Sequence, residues 1–226
     1  MSRTGIRAAS AVLVVVWIGA VATGFGGLMW YENQPGPSAV AAEKWPDAAS
    51  LELDSARWNL VVFLHPQCPC SQATLTELAV LQSRVTQRLR TSLVFYKPAG
   101  MAAGWEKSRI LDQAAAMPDV SIVWDEGDRE RQKFGAATSG QVLLFEGSGR
   151  LCYQGGITRA RGQTGDNSGR ATIERLVRGE AVSVTQQPVS QQPVFGCPLV
   201  DESDLSATRR CLSDDESGGK TSDARP

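Results

Sequence analysis

Two cysteines one residue apart, Cys68 and Cys70, close the run Asn59-Leu-Val-Val-Phe-Leu-His65-Pro-Gln-Cys68-Pro69-Cys70. An apolar stretch of strand length ends there. Apolar residues at helical spacing follow at Leu75, Leu78, Leu81, Val85 and Leu89. Thiols at a strand-to-helix junction lie over the helix N-terminus, where unpaired N–H groups and the helix dipole favour negative charge. The thiolate is the reactive form of cysteine, so the position predicts thiol–disulfide chemistry. A Cys-x-Cys pair alone also occurs in metal sites or as buried structural cysteines; the strand–cysteine–helix context carries the redox reading. Pro66 and Pro69 stiffen the loop and remove N–H groups from it.

The spacing suggests roles. Cys68 comes first at the junction and is expected to be the nucleophile, with Cys70 resolving the mixed disulfide. A disulfide between residues i and i+2 closes a small strained ring, which makes the oxidised form a stronger oxidant. His65 is placed either to stabilise the thiolate and shuttle a proton, or as a loop histidine bonded to backbone. Cys197, in Phe195-Gly-Cys-Pro-Leu199, folds back as a resolving thiol, pairs with Cys70, or staples the tail to Cys211. Cys152 reads as a small buried hydrophobe. Arg159 and Arg161 precede a helix whose N-terminus either binds an anion or is capped by Asp166 or Asn167.

The whole chain narrows the function classes. Its 226 residues carry a net charge of −1 and no basic block, which argues against a nucleic-acid partner. One histidine excludes sites built on several imidazoles. Five cysteines form at most two internal bridges, so at least one thiol is free or pairs elsewhere.

Arg3 and Arg7 precede an uncharged run from 8 to 31, long enough to cross a bilayer core. The positive-inside rule then keeps residues 1–10 in the cytoplasm, makes 11–31 a single transmembrane anchor, and sends the remainder to the periplasm or cell exterior. A signal peptide cleaved near Ala39-Val-Ala41 is the competing reading. Either way the domain lies where disulfides persist.

Residues 32–50 read as a linker and 51–179 as the folded domain. Within it the patterns predict strands at 59–64, 92–96 and 120–124, helices at 71–89, 105–117 and 128–134, a hairpin of 141–145 with 151–154, and a last helix over 168–178. Alternating strands and helices followed by a hairpin imply an α/β fold with a mixed sheet flanked by helices. Residues 180–226 read as a largely disordered tail with an apolar island at 195–199.

This order, with the cysteine motif after the first core strand, resembles the thioredoxin-like superfamily over residues 51–178. His65-Pro-Gln-Cys-Pro-Cys70, the stretches around Gly155-Gly-Ile-Thr158 and Arg161-Gly-Gln-Thr-Gly-Asp-Asn167, and Phe195-Gly-Cys-Pro-Leu199 look like the RedB-type membrane-anchored bacterial thioredoxin-like proteins. The resemblance implies a thioredoxin-like fold and a thiol–disulfide oxidoreductase with protein thiol or disulfide partners and no cofactor. Two departures stand out. One spacer residue is missing from Cys-x-x-Cys, and the place of the cis-proline facing the cysteines is Ser139-Gly140. That proline usually shapes the substrate groove and keeps metal from the thiols, so its loss leaves room for metal. A soft-metal module is therefore the alternative, since two thiolates with His65 suit Cu(I). A peroxiredoxin-like peroxidase is a third reading, against which His65 occupies the place of that family's threonine.

Overall fold

A computed structural model of the chain describes residues 3–98, 104–180 and 189–200. It divides into two units, residues 1–34 and 35–226. The first is a single helix, α1 (Arg3–Glu32). Its segment Ser10–Glu32 has a mean hydropathy of 2.1 and is long and apolar enough to cross a membrane, a property that anchors and signal sequences share.

In the second unit, six strands form one mixed sheet in the order β3-β2-β1-β4-β5-β6. The strands are β1 (Trp58–Leu64), β2 (Leu89–Lys97), β3 (Val120–Glu126), β4 (Gln141–Phe145), β5 (Leu151–Gly155) and β6 (Ser190–Gln191). β1, β2 and β3 run parallel, while β4 is antiparallel to β1 and to β5. The helices are α2 (Pro69–Val85), α3 (Arg109–Ala115), α4 (Arg129–Phe134) and α5 (Ser168–Arg178).

The unbroken apolar run of β1 has a simple cause: both faces are covered. Leu60, Val62 and Leu64 pack with Leu75, Leu78 and Leu81 of α2 and Ile173 and Val177 of α5. Val61 and Phe63 face the other way, toward Phe134, Leu143 and Phe145. Asn167 caps α5 by accepting the Arg170 N–H at 2.7 Å, and Gly179 closes it in the left-handed region.

Two expected helices differ at their ends. α2 stops at Val85, and after a short 3₁₀ turn Leu89 opens β2 opposite Trp58. Leu89 still enters the same core, so the helical spacing of the sequence continued past the helix itself. α3 begins only at Arg109, because Ser108 caps it by accepting from the Leu111 N–H at 3.2 Å.

Two segments flanking residues 51–179 also pack on this unit. Ala41 is buried, and Trp45 meets Phe134 and Phe145 edge-on, each with ring centroids 5.2 Å apart. On the far edge, β6 pairs with β5, and residues 192–199 continue across the molecule. Residues 201–226, which include Cys211, lie outside the described residues.

Candidate functional site

β1 ends at Leu64, and α2 begins at Pro69. Cys68 sits immediately before the helix. Its N–H donates to the His65 carbonyl at 3.2 Å, and its own carbonyl accepts the Ser71 N–H at 2.9 Å. Pro69 occupies the first helical position, where its missing N–H costs nothing and its fixed φ suits the helix. Cys70 follows inside the first turn. Its carbonyl accepts the Thr74 hydroxyl at 3.1 Å.

Two serines pin this loop to the start of β4. The hydroxyls of Ser71 and Ser139 lie 2.7 Å apart. The His65 N–H reaches both, at 3.1 and 3.2 Å. The Gly140 N–H donates to Phe63 at 2.7 Å, beside Thr74, whose hydroxyl stands where a Cβ on Gly140 would go. The position that lacks a proline thus carries a buried hydroxyl that ties β4 to the cysteine loop.

Cys197 is brought to the same place. Ser139 donates its N–H to the Cys197 carbonyl at 2.9 Å, the Leu199 N–H donates to Ala137 at 3.0 Å, and the Arg161 guanidinium donates to the Gly196 carbonyl at 2.6 Å. Leu199 is buried in the second core. The sulfurs of Cys68, Cys70 and Cys197 all lie within 4.8 Å of one another. Cys68 and Cys70 are each only 5% exposed.

The three thiols do not share one charge state. Hydrogen bonds from the Cys197 thiol, and then from Cys70, hold the Cys68 sulfur far below the ordinary thiol range, although burial opposes this. The contacts of Cys70 with Cys197 and Cys68 push its thiol far up, with burial adding to the effect. Cys197 is also raised, first by its contact with Cys68. These directions favour the thiolate on Cys68 over Cys70 and Cys197, and the start of α2 favours it too.

His65, three residues before Cys68, is held by aromatic and backbone contacts. Its ring lies against Tyr96 and Trp105, with centroids 5.7 and 5.6 Å away, and its Nδ1 accepts the Gln67 N–H at 3.2 Å. Cys152 is part of the main core, where burial pushes its thiol up. Arg161 is engaged with the 195–199 segment, and Asn167 acts as a helix cap. Among the described residues, the group able to hold a soft metal is Cys68, Cys70 and Cys197. The sequence offered one signal for the third member, a cysteine in an apolar island flanked by polar chain.

Three parallel strands with helical crossovers, an antiparallel hairpin added beside the first strand, and cysteines where that strand enters its helix decide the architecture. The fold is thioredoxin-like. No family model and no curated protein matches the sequence. Solved structures do match the thioredoxin-like domain. A hypothetical protein from Sinorhizobium meliloti aligns over 74% of this chain and 93% of its own, at 18% identity and a TM-score of 0.51. An uncharacterized conserved protein from Geobacillus kaustophilus aligns over 75% and 92%, at 16% identity and a TM-score of 0.52. At such identities the likeness is one of fold.

Proposed function

We propose that this chain is a thiol–disulfide oxidoreductase that works outside the cytoplasm through Cys68 and its Cys-Pro-Cys motif, exchanging disulfides with protein partners. One observation carries the reading: the Cys68 sulfur stands at the start of α2 with two further thiols within 4.8 Å. A thiolate there is an attacking group, and a neighbouring thiol is in reach to release the mixed disulfide. His65 shapes the loop beside Cys68 and lies on the aromatic wall of Tyr96 and Trp105. No cofactor is needed beyond the thiols. The test is exchange between the reduced protein and a disulfide-bonded test protein. Cys68→Ser is expected to abolish it, and unchanged exchange in that variant overturns the proposal.

The second reading is a soft-metal module, favoured by the convergence of three thiols where a proline-bearing groove would have only two. A sulfur-only set suits Cu(I). Tight one-to-one Cu(I) binding by a protein that exchanges no disulfides would establish this reading in place of the first.

The placement is part of the proposal. The segment Ser10–Glu32 is read as a single-pass anchor with Arg3 and Arg7 on the cytoplasmic side. The RedB-type likeness of the cysteine and 195–199 motifs agrees with that placement.

A further inference from the structure

We infer that the redox pair of this protein is Cys68 with Cys197, and that Cys70 remains a thiol. The inference rests on the disulfide-exchange reading and assigns its resolving residue.

Cys70 and Cys197 both have their sulfurs within 4.8 Å of Cys68, so the backbone between the partners, and not distance, separates them. Cys70 lies in the first turn of α2, with its carbonyl held by Thr74 and with Pro69, whose φ is fixed, between the two cysteines. A Cys68–Cys70 bond would close a small i,i+2 ring through Pro69, a geometry that strains the link. Cys197 comes from a separate segment of irregular chain. Joining it to Cys68 leaves α2 intact.

The segment that carries Cys197 is built for this approach. Its backbone is bound by Ser139 and Ala137 on one side and by Arg161 on the other. A Cβ on Gly196 would come within 1.9 Å of the Ser139 carbonyl oxygen, so only glycine lets the segment lie this close to the cysteine loop. The chain immediately upstream is tied down as well: the Gly156 N–H donates to Pro193 and the Gly36 N–H donates to Val194, at 3.2 and 2.8 Å. A solvent tail with an incidental cysteine would have no such series of partners.

The Cys68 thiolate attacks one sulfur of a disulfide, the S–S bond breaks, and the departing thiolate takes a proton from solvent. Cys197 then gives up its thiol proton to solvent, and its sulfur attacks the Cys68 sulfur. The second thiolate of the original disulfide leaves and is protonated. Two protein thiols have become one disulfide, and two electrons have reduced the attacked disulfide to two thiols.

The test uses the full reduced chain and oxidised glutathione, with acid quenching, alkylation and peptide mapping. The expected product links Cys68 to Cys197 and leaves Cys70 alkylated. Cys197→Ser is expected to accumulate the Cys68–glutathione adduct at least about tenfold over wild type, while Cys70→Ser forms the internal disulfide as wild type does. A wild-type map dominated by Cys68–Cys70 or by Cys197–Cys211, or adduct accumulation in Cys70→Ser alone, overturns the assignment while the oxidoreductase reading stands. Failure of Cys68 to react in the wild type and in both variants overturns both.

Discussion

Ser139 donates its backbone N–H to the carbonyl of Cys197 at 2.9 Å, while its hydroxyl lies 2.7 Å from that of Ser71 in the first turn of α2. One residue therefore holds both thiol-bearing segments. The 195–199 segment lies against residues 137–139 with Cys197 beside Cys68, so disturbing it should change access to Cys68.

Gly196→Ala tests this. The added methyl meets the Ser139 carbonyl oxygen, and the segment must shift. Overpacking of this kind costs about 1–3 kcal/mol, expressed here as local detachment. A bulky maleimide should label Cys68 faster in the variant than in wild type. An unchanged labelling rate with unchanged stability would show that the segment does not shield the thiol.

The charge state of Cys68 gives a pH signature. Contacts with Cys197 and Cys70 lower its pKa, so small alkylating reagents should modify it at pH values where an ordinary thiol, titrating near about 8.5, is slow. Cys70 and Cys197 should react slowly over the same range. Equal rates for all three, rising together near the ordinary thiol value, would be the contrary result.

The same shift sets the sign of a stability effect. Folding binds the thiolate of Cys68 better than the unfolded chain does. Its contribution is fully present above the unfolded thiol pKa of about 8.5 and is lost as pH falls through the lower folded value. The stability advantage of reduced wild type over Cys68→Ser should shrink as pH falls below the unfolded value of about 8.5. Chemical denaturation at several pH values measures it; a constant advantage contradicts the assignment.

Glu77 and Arg170 join α2 to α5 in a buried ion pair. Glu77 also accepts the Gly165 N–H at 2.6 Å and the Asn167 amide at 3.2 Å, which fixes the loop that caps α5. Glu77→Ala leaves Arg170 with Asp166 at 3.2 Å and Glu174 at 3.5 Å but removes its most buried partner and unpairs the Gly165 N–H, at a cost of about 1–3 kcal/mol. A loss below about 1 kcal/mol in urea titration would show that water replaces the carboxylate without penalty.

Trp45 supplies a test of the domain boundary. Its edge-on contacts with Phe134 and Phe145 belong to the second core, so Trp45→Ala should destabilise the domain by about 2–4 kcal/mol. No change in the unfolding midpoint would return residues 35–50 to the role of a tether.

The sequence by itself determined the parts of this protein whose causes are local. Unbroken apolar residues in 59–64 required a strand covered on both faces. Asn167 and Gly179 marked the ends of α5, and the glycine turn at 146–149 set the hairpin. The strand-to-helix switch around Pro69 placed Cys68 at a helix start. All of these follow from periodicity, capping and turn chemistry within a few residues.

Tertiary structure alone decided the rest. Cys197 is more than a hundred positions from Cys68, and nothing local says whether it meets that thiol or another. Its place is set by backbone hydrogen bonds to Ser139 and Ala137, by the Arg161 contact and by the burial of Leu199. The contacts of the His65 ring with Tyr96 and Trp105, 31 and 40 positions away, were likewise set by the fold. Sequence spacing fixes neighbours along one element, whereas the third thiol depended on which segments the finished sheet left free to pair.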